Sequence, residues 1–452
     1  MSFTSTNPNT GAVIATYPED TPEQIESKLQ RAWDTWQSWA KKPIEQRTAF
    51  LVRLAELLDE RADQYAALIV SEMGKPVGEA KGEVLKSATG ARHFAADGPK
   101  YIADEPVPGT PSRIVYQPLG PIFGIMPWNL PFWQVLRFFI PAALVGNVVL
   151  VKHAETVQGS ALAIEQLVLD AGGPPGLYTN LAIQKEGSPA IIDDRRIRAV
   201  TVTGSVAAGR AVAQQAGSLN KKVVLELGGS DPFIVFADAD MDKAVRLGVT
   251  SRFSNNAQSC IAAKRFFVER SVFDQYVKAF SEGAKNLKIG DPMDPATKLG
   301  PLARADLRTT TSRQIADAVK AGGTVIAGGK PMDGPGNFYE PTVITGVDLD
   351  APIAQEEFFG PVALMFPFDS EDEAIRLAND NVYGLGGAVF TADGAKAERV
   401  VRQVEAGAIF INDFVRSDPR APFGGVKNSG FGRELGGLGA RELTNAKLIW
   451  GN

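Results

Sequence analysis

Apolar positions in the first hundred residues or so recur at helical spacing. Thr21-Pro22-Glu23-Gln24 has the form of a helix start: a capping hydroxyl, a proline in the first turn and a glutamine that closes a capping box. Ile25, Leu29, Ala32, Trp33, Trp36 and Ala40 then fall on one face. The same period predicts a second helix over 44–74 and a third over 77–96. The tryptophans in this stripe read as core packing.

Further along, the period shortens. Continuous apolar runs at 148–151, 199–202, 223–227 and 233–236 alternate with helical patterns at 159–171 and 207–216. Runs at 265–268, 324–327, 362–366, 387–390 and 408–411 repeat the theme. Unbroken apolar strands between helices indicate parallel sheets covered on both faces. The expected fold class is therefore α/β, with two such domains. Two further stretches, 113–116 and 446–450, read as strands outside both sheets, pairing with each other or with a partner subunit. The Gly- and Pro-rich segment 328–338 reads as a surface loop. The most apolar stretch, 122–151, is interrupted by Pro127, Asn129, Pro131, Arg137, Pro141 and Asn147. It reads as protein core with polar groups set into it and not as a membrane span.

A chain of 452 residues suggests two or three domains. With 47 Lys+Arg against 52 Asp+Glu and no long run of one sign, a nucleic-acid face is disfavoured. The single cysteine, Cys260, forbids an internal disulfide and a thiolate-rich zinc site. The two histidines, His93 and His153, are too few for a multi-histidine centre, so no metal is expected. The amino terminus lacks a basic and apolar leader pattern, and a cytoplasmic location is expected.

Several residues carry candidate chemistry. Cys260 follows the polar segment Ser254-Asn-Asn-Ala-Gln-Ser just before a strand, where a turn exposes a sulfur; it is either a nucleophile or a small buried hydrophobe. Glu226 stands inside an apolar strand before Gly228-Gly229, as a base of raised pKa or as half of a buried salt bridge. Asn129, between Pro127 and Pro131, is a rigid amide suited to an oxyanion, or a turn cap. Gly204-Ser205 joins a strand to a helix, with Gly209 inside that helix, and so offers an anion site. Lys152 and Glu155 follow another strand, where a carboxylate accepts from ribose hydroxyls or is a plain loop charge.

Taken together, these segments resemble the NAD(P)-dependent aldehyde dehydrogenases. The matching motifs run in order: Pro127-Trp-Asn129, Lys152-x-x-Glu155, Thr203-Gly-Ser205 with Gly209, Glu226-Leu-Gly-Gly229, Gln258-Ser-Cys260, Glu357-Phe-Phe-Gly-Pro361 and Pro422-Phe-Gly-Gly-Val-Lys-Asn-Ser-Gly-Phe-Gly-Arg-Glu434. The compact length, with 223–232 and 423–435, is most similar to the bacterial succinate-semialdehyde dehydrogenases.

The resemblance implies a Rossmann-like cofactor domain over 1–98 and 119–228, a catalytic domain over 229–430, and an oligomerisation arm over 99–118 and 431–452. It implies a homodimer or homotetramer. Cys260 would attack the aldehyde, Asn129 and the Cys260 N–H would hold the oxyanion, and Glu226 would activate the water that hydrolyses the thioester. Trp128, Lys152, Glu155, Gly204, Ser205, Glu357 and Phe359 would hold the cofactor. NAD is expected to be preferred, with NADP possible, because the Glu155 carboxylate repels a 2′-phosphate while Lys152 softens that effect. For a substrate carboxylate the expected residues are Arg137, Trp133 and Ser417, with Phe132 as a wall and Arg416 or Arg420 assisting. A buried Arg137 without a partner would be costly, which favours a carboxylate ligand; the alternative is a subunit or interdomain salt bridge.

Three departures from the family pattern stand out. Ala257 replaces the usual glycine before the nucleophile, Ser254 replaces a second arginine of some relatives, and no second cysteine lies near Cys260. The competing readings are a broader aldehyde or glutarate-semialdehyde dehydrogenase, a cysteine-dependent nitrile or amide hydrolase, and a non-catalytic binder on the same fold.

Overall fold

The structure is a computed structural model that describes residues 2–451. Two parallel sheets organise it, as the apolar runs predict. The five-stranded sheet has the order Tyr178–Asn180, Val148–His153, Pro121–Met126, Ala199–Thr203, Lys222–Glu226, all parallel. The chain enters this sheet at the central strand Pro121–Met126, builds outward on one side, then returns to build the other. The carboxyl ends of Pro121–Met126 and Ala199–Thr203 therefore flank a topological switch point, where open α/β sheets hold ligands.

The seven-stranded sheet has the order Thr324–Ala327, Thr342–Thr345, Val362–Phe368, Ala263–Glu269, Asp231–Val235, Gly386–Phe390, Ala408–Ile411. Its first pair is antiparallel and the remainder parallel. Separate apolar layers cover its two faces, while a third core joins the five-stranded sheet to the amino-terminal helices.

The apolar stretch 122–151 folds as strand, helix and strand, and every residue of its helix Trp133–Val145 is buried. Glu83 holds the start of that helix: one carboxylate oxygen accepts from the N–H groups of Phe132 and Trp133 at 2.8 and 3.0 Å. The other accepts from the fully buried Lys75 ammonium at 2.5 Å.

The capping box at Thr21 forms, with both Thr21 and Gln24 engaged. Three local expectations need correction. The helix expected over 44–74 is two, Ile44–Glu60 and Ala62–Met73, parted at Arg61, whose guanidinium turns to Asp170 at 2.5 Å. The helix expected to stop at 96 runs to Tyr101, with Pro99 accommodated in its last turn. The amino terminus begins with an antiparallel hairpin, Ser2–Thr6 with Val13–Pro18.

The two stretches outside the sheets pair with each other. Thr444–Ile449 lies antiparallel to Arg113–Pro118, which also pairs with Glu105–Pro106. Among the described residues no helix is long and apolar enough to cross a membrane, and no cluster of His, Cys, Asp and Glu is placed to hold a metal.

Candidate active site

Two cavities meet at Cys260. The first, about 260 Å³, lies at the switch point. Pro127, Trp128 and Asn129 line it from beyond one central strand, and Thr203, Gly204 and Ser205 from beyond the other. Glu226, Glu357 and Phe359 complete its walls. The second, about 280 Å³, is lined by Lys86, Trp133, Arg137, Ser417 and Phe423, with Glu79, Ser254 and Asn255 opposite. Among the residues lining the two, Cys260 alone lines both.

The turn that presents Cys260 is built from backbone few side chains tolerate. Asn255, Asn256 and Ala257 all have positive φ, of 56°, 54° and 59°. Asparagine visits this region at modest cost, and each asparagine here is also tied down. Asn256 donates to the carbonyls of Gly74 and Pro301 at 2.8 Å each and accepts from the Gly300 N–H at 2.7 Å. Asn255 donates to the carbonyls of Asn129 and Gln258 at 3.1 and 2.9 Å. Ala257 is thus held left-handed, as its replacement of the family glycine implies. That strain is about 1–2 kcal/mol, partly offset by burial of its methyl group in the core.

Burial pushes the Cys260 thiol up to about 12, against the pull of the Arg137 and Lys264 cations. Lys264, which no sequence pattern singled out, is fully buried and donates to the Ser259 and Cys260 carbonyls at 2.9 and 2.7 Å. Asn129 is buried and gives one amide proton to the Gln258 carbonyl at 2.9 Å, which fixes the plane of the amide beside Cys260.

Glu226 ends the strand Lys222–Glu226 inside the first cavity, and neither of its oxygens has a hydrogen-bond partner among the described residues. Burial, with Glu434 nearby, holds its carboxyl well above the usual carboxylate range, against the pull of Arg137 and Arg433.

The first cavity suits a dinucleotide. A Cβ built on Gly204 would meet nothing closer than Val202 at 4.0 Å, so this glycine relieves no crowding within the protein and leaves bare backbone facing the cavity. Ser205 caps the helix Val206–Ser218, whose amino terminus points to the same place and favours an anion. Trp128 and Phe359 stand edge to face at 5.8 Å. Glu357 accepts from the Gly229 N–H at 3.0 Å and lies 3.7 Å from Lys264. Lys152, near the end of the neighbouring strand Val148–His153, and Glu155, just beyond it, lie outside this lining and pair with each other at 3.5 Å.

In the second cavity several expectations change. Arg137 lines the wall but is not unpartnered. Its guanidinium forms a buried ion pair with Glu434 and lies over the Phe423 ring at 4.6 Å. Phe132 faces Tyr65 in the core and does not line the cavity. Arg416 pairs with Asp413 and Arg420 with Asp418, and neither lines the cavity. Trp133 and Ser417 do line it, joined by a hydrogen bond from the indole N–H to the Ser417 hydroxyl at 3.0 Å. Sequence reasoning missed Lys86, which donates to the same hydroxyl at 2.7 Å.

Neither histidine lines a cavity with Cys260. His153 is buried against the Pro131 carbonyl at 2.8 Å, and burial takes it down to about 4, so it is neutral.

Comparison with known proteins places the chain in a family. The aldehyde dehydrogenase family model matches residues 1–449. A succinate-semialdehyde dehydrogenase [NADP(+)] of Mycobacterium avium is 44% identical over 456 residues, covering 100% of this chain and 97% of that one. Its namesake from Deinococcus radiodurans is 44% identical over 449 residues, covering 99% and 94%. The crystal structure of succinic semialdehyde dehydrogenase from Streptococcus pyogenes in complex with NADP+ superposes with a TM-score of 0.97 at 38% identity, covering 99% of each chain. These relatives carry NADP in their names, so the expected NAD preference finds no support among them, and NADP is the cofactor they favour. With its motifs in family order, a cysteine between two cavities and a family match along nearly its whole length, the chain belongs to the aldehyde dehydrogenase family.

Proposed function

We propose that the chain oxidises succinate semialdehyde to succinate with a nicotinamide dinucleotide, NADP being the form its relatives favour. The observation that carries this reading is the position of Cys260, the residue common to a cavity at the sheet's switch point and to a cavity bearing cationic side chains.

The Cys260 thiol gives its proton to solvent, and Sγ bonds to the aldehyde carbon as the C=O bond opens to an oxyanion. The Asn129 amide and the Cys260 N–H hold the oxyanion as it forms, and the rigid hydrogen bond of Asn129 spares reorganisation. The bound nicotinamide supplies a hydride acceptor. The remaining thioester is cleaved by a water whose proton passes to the Glu226 carboxylate. Gly204 and Ser205 would hold the pyrophosphate, Trp128 and Phe359 would bound the nicotinamide end, and Glu357 would reach a ribose. Lys152, released from Glu155, would meet a 2′-phosphate. Trp133, Ser417 and the charge of Arg137 shape the substrate end.

The reading extends to the architecture. Residues 1–98 and 119–228 form the cofactor unit, 229–430 the catalytic unit, and 99–118 with 431–452 an arm that joins copies into a dimer or tetramer. A catalytic thiol that must stay reduced suits the cytoplasm.

The test is reduced-nicotinamide formation from succinate semialdehyde, with NADP and with NAD, in wild type and Cys260→Ala. Turnover that Cys260→Ala abolishes is expected. Turnover of glutarate semialdehyde or neutral aldehydes at equal efficiency would replace the substrate assignment with the broader one. Turnover of a nitrile or amide without nicotinamide would replace the reaction.

A further inference from the structure

Lys86 lies on the helix Val77–Tyr101, and its side chain enters the cavity that holds Cys260. Its ammonium donates to the Ser417 hydroxyl and lies over the Trp133 ring, 4.7 Å from the centroid. Among the described residues no carboxylate lies at ion-pair distance from it, and the more distant Glu83 and Asp418 only partly offset burial and Arg137, which bring the ammonium down to about 8. An ammonium has three protons to donate, and one hydroxyl takes only one of them. A largely desolvated ammonium left in that state is costly, and an anion in the cavity would relieve the cost.

The other cation of the cavity, Arg137, is already paired with Glu434. The helix also orients a ligand. Glu79 lines the same cavity from two turns earlier on the same face, roughly 10 Å back along the axis. Burial pushes the Glu79 carboxyl up to about 7, and it accepts from the Asn255 N–H at 2.7 Å, so it repels a carboxylate only when ionised, whereas the Lys86 end attracts one.

We infer that Lys86 is the specificity-determining cation for the substrate's far carboxylate, positioned by Ser417 and Trp133. This assignment rests on the semialdehyde reading above and adds the residue that distinguishes a charged aldehyde from a neutral one. Arg137 compensates Glu434 and Glu226 while it adds positive charge to the same cavity.

The experiment measures kcat and KM for succinate semialdehyde and for butanal in wild type and Lys86→Met. The ratio of kcat/KM for the charged over the neutral aldehyde is expected to fall about 30-fold, roughly 2 kcal/mol, carried by KM. Thermal stabilisation by succinate, which reads binding without turnover, is expected to be lost in the same variant. An equal loss on both aldehydes would show a structural role and overturn the assignment, as would an unchanged ratio. Should Lys86→Met fail to fold, Lys86→Arg keeps the test open: a retained ratio supports the assignment, and a lost ratio in a folded enzyme overturns it. A wild type that prefers butanal overturns the semialdehyde reading and this assignment together. A wild type that prefers the semialdehyde, with Lys86→Met keeping that preference, overturns only the assignment.

Discussion

Burial raises the Glu226 carboxyl well above the usual carboxylate range and the Cys260 thiol to about 12, which favours the neutral form of each. A general base must be ionised to act, so hydrolysis of the thioester should accelerate as pH rises and the Glu226 carboxyl loses its proton. Glu226→Gln removes the base and leaves hydride transfer intact. A burst of reduced nicotinamide equal to the enzyme sites is expected, followed by turnover about 10²–10⁴-fold slower, with the pH dependence of that slow phase lost. Steady turnover at the wild-type rate would remove Glu226 from this step. Glu155 gives a second test at this scale. It pairs with Lys152, so Glu155→Ser frees an ammonium and deletes a repulsive charge at once. The efficiency with NADP relative to NAD should rise in this variant whichever cofactor the wild type favours, and an unchanged ratio would place Glu155 away from the ribose. At this scale Glu226 and Asn129 stood out as polar residues in apolar or proline-fixed surroundings, and Cys260 as the single cysteine, set after a polar segment. Lys86 was not, because a lysine on an amphipathic helix looks like a solvated face. Only folding brings Ser417 to it, from 331 positions along the chain.

Among elements, the parallel strands were legible because burial on both faces makes them continuous apolar runs. The hairpin of Ser2–Thr6 and Val13–Pro18 was not, since most of its side chains are exposed, Val13 by 64%, and it has no continuous buried apolar run. The break at Arg61 carries no glycine or proline signal, and Arg61 pairs there with Asp170. The contact that fixes the substrate end also joins two elements. Glu83, on the helix that carries Lys86, caps the helix that begins at Trp133 and neutralises the buried Lys75. Removing one partner of such a pair leaves a buried charge alone. Glu83→Ala should therefore cost about 3–5 kcal/mol, read as a lower urea midpoint. It should also raise KM for the semialdehyde, because Trp133 loses its anchor. A midpoint within about 0.5 kcal/mol of wild type would mean that Lys75 finds water or another acceptor.

Across the whole molecule, the site is made where two sheets face each other. The five-stranded sheet contributes the carboxyl ends of its strands, and the seven-stranded sheet contributes the segments that lead into its strands, Cys260 before Ala263–Glu269 and Glu357 before Val362–Phe368. Neither sheet alone holds both nucleophile and base. The alternation of strands and helices announces the two sheets, but their facing arrangement depends on packing that no local pattern encodes. The small third sheet leaves a further surface open. Its strand Thr444–Ile449 lies at an edge, with Leu448 54% and Trp450 71% exposed. An edge strand with unpaired backbone groups and apolar side chains is a template for another chain. In the dimer or tetramer we propose, a second copy covers it. Leu448→Asp places a charge in that contact without touching either cavity. Sedimentation velocity should then show a smaller species than wild type at equal concentration, with the near-ultraviolet circular dichroism of the fold retained. An unchanged sedimentation coefficient would move the subunit contact away from this strand.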